Sequence, residues 1–372
     1  MQDLKLSNFE VISIILTTFV SYTLASVIKT LLDTTKSGII INLIYIGIIG
    51  IILTFLIIRL LKNFPNNDII DISNSLGGSL FQKIVGIIFI SYFIFTSAIL
   101  LRNFSECLRI VYYPMTNILF IILAFIVAVS FVIRLNFSCF AKVNSIILPI
   151  FISSVVFIFF ANFNNFSIPN IFPILGNGAI NIFLNGIGNI FAFCGIGIIY
   201  FLPPMIKNVK DFKKISIISV IIGIIYFILT ALTVLLLFFP SIKIEQISIL
   251  YSITRNIEFI GFLERLDAAF VLIWILQVVC FITLNMHLSL KIFRKITNIK
   301  DIHPICISFP LITFAIAIIP KNYAISHFLE NVIYRYLNIG IIFILGISIL
   351  ILANLKLYFK GKSSKEKIKL KN

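Results

Sequence analysis

NIFLNGIGNIFAFCGIGIIYFLPP, residues 181–204, is long enough to cross a bilayer, yet Gly186, Gly188, Gly195 and Gly197 interrupt it. Each interior glycine weakens an α-helix by about 1 kcal/mol relative to alanine. In hydrocarbon an unpaired peptide group costs several kcal/mol, so a weakened span persists only where protein or a polar cavity satisfies the freed groups. Two readings follow. Small residues let helices pack closely, or the span is a broken helix of the kind around which transporter folds bind a solute. The second reading makes Phe193, Cys194, Gly195 and Gly197 candidate solute contacts through their backbone.

The surrounding chain is that of an integral membrane protein. Hydrophobic residues make up 60% of its 372 positions and charged residues 12%, outside the range of ordinary soluble domains. The formal charge of +16 has no basic face interleaved with stacking aromatics, so no nucleic-acid partner is expected. Cys107, Cys139, Cys194, Cys280 and Cys306 are scattered without a Cys-x-x-Cys spacing, and His287, His303 and His327 are isolated. Neither a disulfide framework nor a metal site is indicated. A phosphate-binding Gly-Lys-Ser/Thr loop and a nucleophile at suggestive spacing from a base are also lacking, which argues against an enzyme and against a cofactor.

Polar and Pro/Gly breaks cut the chain into ten apolar segments, near residues 8–32, 38–61, 84–105, 117–134, 144–161, 181–204, 214–239, 263–290, 304–319 and 337–359. Most approach the roughly 20 residues a spanning helix needs. With both termini cytoplasmic, the larger share of the 30 basic residues falls on the inside, as the positive-inside rule requires. Ten spans starting inside form two blocks of five in opposite senses. The expected fold is therefore all-α, with ten transmembrane helices in a LeuT-like 5+5 inverted repeat. Repeat one covers about 8–161 and repeat two about 181–359, followed by a basic cytoplasmic tail, 360–372, suited to anionic lipid.

In that scheme the first helix of each half lines the site. Span one carries Thr17, Thr18, Ser21 and Tyr22, hydroxyls that either line a pocket or bond back to carbonyls one turn earlier. Span three adds Tyr92 and Thr96, with Arg102 and Glu106 above them as a loop-facing ion pair. In span eight, Asp267, Phe270, Trp274, Gln277, Phe281 and Asn285 share one stripe. Asp267 either faces a cavity or favours the helix N-terminus. The expected binding set is Thr18, Ser21, Tyr22, Tyr92, Thr96, Phe193, Cys194, Gly195, Gly197, Asp267 and Trp274.

FLERLDAAFVLIWIL, residues 262–276, resembles the span-eight signature of the spore germination receptor B-subunit family, the GerAB-type permeases. The stretches at 64–95, 168–178 (IPNIFPILGNG) and 202–208 (LPPMIKN) agree with it. The resemblance implies a relative of amino acid/polyamine/organocation transporters, working in the spore inner membrane with an A subunit and a lipoprotein C subunit. It implies a small nutrient, often an amino acid, as the trigger of germination. Glu264, Arg265, Asp267 and Trp274 match the span-eight motif, and Phe191–Gly197 matches the unwound part of span six. Gly195, Ile196 and Gly197 stand where family members often carry a carboxylate, so a more apolar pocket without a mid-span proton relay is expected. The alternative function is secondary amino-acid transport coupled to H⁺ or Na⁺.

Overall fold

Helix starts are set by short polar side chains. In the computed structural model, which describes residues 5–24, 27–207, 209–238, 253, 254, 257, 266–299 and 301–369, α1 (Asn8–Val20) begins at a capping box. The Ser7 Oγ accepts from the Glu10 N–H, and the Glu10 carboxylate accepts from the Ser7 N–H. After Val20 the chain tightens into a 3₁₀ turn, Ser21–Leu24, before α2 (Val27–Thr35) and α3 (Ile39–Leu61). Span one is thus interrupted at its hydroxyl cluster.

Asp68 and Asp71 form a second capping box at the start of α4 (Ile69–Val111). Within α4, Gly78 takes φ +74°, a conformation that only glycine adopts cheaply, and bends the interfacial first turns away from the spanning part. Lys356 donates to the Ser75 and Leu76 carbonyls at 2.7 and 2.9 Å, satisfying the helix end that the corner creates. The chain continues through α5 (Ile118–Val132), α6 (Phe137–Ala161) and α7 (Ala179–Phe183). Beyond the glycine-rich segment lie α8 (Phe212–Leu237), α9 (Leu266–Thr297) and α10 (Ser308–Ala317). The last rod joins α11 (Tyr323–Phe328), α12 (Arg335–Asn338) and α13 (Gly346–Lys369) through two π-helical stretches, Leu329–Tyr334 and Ile339–Leu345.

The glycine-rich span corrects its expectation. It is not two half-helices with an unwound link but one 3₁₀ helix, Asn185–Phe201. Runs of this geometry beyond 3–4 residues are uncommon because the hydrogen bonds are poorer. Side chains compensate at three of the four glycines: Asn42 Nδ2 donates to the Gly186 carbonyl at 3.1 Å, Arg335 Nε to Gly188 at 3.2 Å and Thr18 Oγ1 to Gly195 at 3.1 Å. Those carbonyls are held by protein rather than left free.

The described parts of the predicted apolar segments fall mostly on helix, but the lengths differ. Among the described residues seven helices are long and apolar enough to cross a membrane, and Asn8–Val20, Ile118–Val132 and His303–Ala317 are shorter. The first is cut short where Ser21 begins the 3₁₀ turn. α1 and the 3₁₀ helix sit at the centre, α1 packing on α6, α8 and the 3₁₀ helix. Val11, Ile14, Ile15, Phe19, Phe193 and Tyr200 are fully enclosed. Large apolar side chains on the outer helices, such as Ile52, Phe131, Phe160, Ile225 and Leu272, are exposed, as a lipid-facing surface requires.

Candidate functional site

Two helix faces meet at the middle of the bundle. Thr18 and Ser21, three residues apart, share one face of the interrupted first span. Thr18 Oγ1 bonds both the Ile15 carbonyl one turn earlier, at 2.6 Å, and Gly195. The backbone at Gly195 approaches closely: a Cβ there would lie 2.8 Å from Thr18 Oγ1. Phe193 packs edge-on against Phe19, ring centroids 5.9 Å apart, and Cys194 is buried beside it.

The second face belongs to α9. Gln277 Nε2 donates to Ser21 Oγ at 3.2 Å. Trp274 lies three residues earlier on the same face, 2% exposed, and Gln277 is fully enclosed. Among the described residues, Trp274 Nε1 and Gln277 Oε1 have no hydrogen-bond partner. A buried polar group left unsatisfied costs about 1–3 kcal/mol, and one face of α9 carries one donor and one acceptor uncompensated, the acceptor on the side chain that reaches Ser21 where α1 ends. A donor and an acceptor of this kind are matched by a small solute that carries both an acceptor and a donor.

The remaining predicted residues are placed elsewhere around this centre. Tyr92 donates to Asn338 Oδ1 at 2.6 Å, tying α4 to α12. Asn285 donates toward Thr96 and Ser97 at 3.4 and 3.0 Å, one link between α9 and α4. A Cβ on Gly197 would run into Ile342, so that glycine serves close packing. Asp267, in the first turn of α9 and about two turns from Trp274, accepts from Tyr112 at 3.0 Å. Glu264 and Arg265 lie outside the described residues, as does the Tyr22 side chain.

Two carboxylates reverse an expectation. Arg102 and Glu106 are not loop-facing: their side chains are 4% and 1% exposed, bridged at 2.7 Å, with Arg109 on the second oxygen at 2.8 Å. Glu330, 3% exposed, accepts from Asn103 Nδ2 at 2.5 Å, and Ser326 donates to Asn103 Oδ1. Sequence reasoning treated residues 320–336 as a loop and missed Glu330. The signal was present: Ser326, Glu330, Tyr334 and Asn338 recur every four residues, and all four are buried.

At the end of the bundle richest in lysine and arginine, Lys295 Nζ sits 2.5 Å from both Asp68 Oδ2 and Asp71 Oδ2. Burial pushes the Asp68 carboxyl up, while Lys295 pulls it down. The segment before α1 is stapled to the chain after the 3₁₀ helix by one isolated bridge, Leu6 N–H to Met205 O at 2.8 Å and Lys207 N–H to Leu6 O at 3.2 Å. A cavity of about 430 Å³ opens beside this staple, with His287, Arg134 and Arg294 in its walls. It contains none of the predicted midplane residues.

Known proteins agree with this architecture. The chain is similar to Spore germination protein A2 of Bacillus subtilis (strain 168), 27% identical over 284 residues that cover 74% of this chain and 76% of that one. Spore germination protein YndE of the same organism is 22% identical over 289 residues, with the same shares covered. In three dimensions the chain resembles a Na⁺-coupled sialic acid symporter in a substrate-bound outward-open state, TM-score 0.61 at 12% identity, covering 92% of this chain and 80% of the symporter. That likeness shows a transporter-type fold. The sequence model of the spore germination protein family matches residues 5–326, and the chain belongs to this family of membrane-spanning spore germination permeases.

Proposed function

We propose that this chain is the membrane subunit of a nutrient germinant receptor and that it holds an amino acid where the interrupted first span meets α9. The observation that carries the reading is that one face of α9 holds, among the described residues, two buried atoms without a partner, Trp274 Nε1 and Gln277 Oε1, with Gln277 bonded to Ser21. The indole N–H suits a carboxylate oxygen and the amide oxygen suits an ammonium group. The Thr18 bond to Gly195 couples this spot to the 3₁₀ helix, so an occupant that bonds Thr18 favours a different packing of the two central helices. Only such differential affinity shifts a population and yields a signal.

The chain then crosses the spore inner membrane ten times, the three shorter helices counted as crossings, in blocks of about 8–161 and 181–359 with both termini cytoplasmic. Its A and C receptor partners dock from outside this fold, and the tail 360–372 meets anionic lipid. Leucine at Gly195 places side-chain atoms onto Thr18. Spores carrying Gly195→Leu, screened with the twenty amino acids, are expected to lose the response of the parent strain. An unchanged dose response rules this pocket out.

Secondary transport coupled to H⁺ or Na⁺ is favoured by one observation, the buried Glu330 held by Asn103. Vesicles containing the purified chain would then accumulate labelled amino acid, and Glu330→Gln would abolish the dependence on the ion gradient. Absence of uptake leaves the receptor reading.

A further inference from the structure

We infer that a cavity between α3 and α8, at the lysine- and arginine-rich end of the bundle, is a binding site for one anionic phospholipid, separate from the basic tail and from the nutrient site. The cavity measures about 510 Å³. Its rim carries Arg59, Lys62, Lys210 and Lys213, from the end of α3 and the start of α8. Among the described residues no carboxylate lines it, and the nearest acid in sequence, Asp211, accepts from Asn8 Nδ2 at 3.1 Å.

The floor is apolar. Phe64, Phe212 and Ile206 are buried beneath the rim, and Phe55 forms one wall with Lys213 Nζ 4.7 Å from its ring centroid. That contact holds the ammonium at the mouth, above an aromatic face. Four cations over an apolar floor do not fit a soluble anion, which would leave the rings wet. They fit a molecule with a phosphate at one end and hydrocarbon at the other, and basic pockets between membrane helices take such headgroups.

The surface above the cavity continues in the same sense. Up α3 from the rim, Phe55, Ile52 and Ile48 are exposed; up α8, Ile221 and Ile225 are exposed. Gly47 lets the two helices approach, its added Cβ lying 3.1 Å from Ile224. A headgroup phosphate placed among Arg59, Lys62 and Lys213 therefore directs its acyl chains along two apolar stripes. The headgroup lies beside Pro203 and Ile206, which follow the 3₁₀ helix directly, so the lipid braces the end of the central span.

The test uses the full chain purified in detergent and native mass spectrometry of bound lipid. Phosphatidylglycerol is expected to be retained at least tenfold more strongly than phosphatidylcholine with the same chains. The double variant Arg59→Gln, Lys213→Gln is expected to lose that preference, and Lys213→Arg alone to keep it. A tail variant, Lys365→Gln with Lys367→Gln, should retain the lipid, and millimolar inorganic phosphate should not displace it. Equal retention of the two lipids, an unaffected double variant, loss in the tail variant alone, or displacement by free phosphate would each overturn the assignment. Because this readout needs no nutrient, its failure is distinct from failure of the receptor reading.

Discussion

At Trp274 the indole ring fills space in the core while its N–H has no partner among the described residues, so the two roles separate by substitution. Trp274→Phe keeps an aromatic ring and removes the donor. If the N–H holds a nutrient carboxylate, the amino acid concentration giving half-maximal germination rises about tenfold, the equivalent of roughly 1.4 kcal/mol. The thermal midpoint of the purified protein should fall only by the packing cost of the smaller ring, since no hydrogen bond among the described residues is lost. Asn103 is the opposite case. Its amide donates to Glu330 and accepts from Ser326, so Asn103→Ala removes one hydrogen bond from each of two buried side chains, at about 0.5–1.5 kcal/mol each. A lower melting temperature in detergent, by several degrees, checks this; no shift would mean that water replaces the amide freely.

The elements show which features were legible in the sequence and which were not. The apolar runs are local signals, written within a few residues, and their described parts fall mostly on helix; Ser7, Asp68 and Gly78 mark where α1 and α4 start or bend. The 3₁₀ winding of Asn185–Phe201 is not local. It depends on donors from Asn42, Thr18 and Arg335, which the chain brings from three other elements, and glycine spacing alone cannot announce them. For the same reason Arg102 and Glu106 read as a loop-facing pair until α4 was seen to continue to Val111. The four-residue stripe of the last rod lies mostly ahead of its apolar run, which begins at 337, so an apolar-run reading passed over it. At this scale the prediction concerns Arg335, whose Nε satisfies Gly188 and whose second nitrogen donates to Asn189 Oδ1 at 3.2 Å. Arg335→Leu is expected to speed hydrogen exchange of the 3₁₀ helix near Gly188 at least tenfold. Exchange unchanged there would show that the winding does not depend on its side-chain donors.

For the whole molecule, the structure is a shell of lipid-facing helices around two irregular central spans, a layout shared with a Na⁺-coupled symporter at 12% identity. So little identity with so much shape means that the packing of helices, not particular contacts, is what the two have in common. Orientation is tested by single cysteines at Ser167 and Lys207 in a background lacking Cys139 and the other native thiols. Impermeant maleimide is expected to label the first from the outside of the membrane and the second only after the membrane is opened. The account rests most heavily on where the nutrient sits. A cryo-EM map of the receptor with its activating amino acid bound should show density between Ser21, Trp274 and Gln277, within hydrogen-bond distance of Trp274 Nε1 and Gln277 Oε1. Density in the cavity beside His287 instead, with that pair still unpartnered, would contradict it.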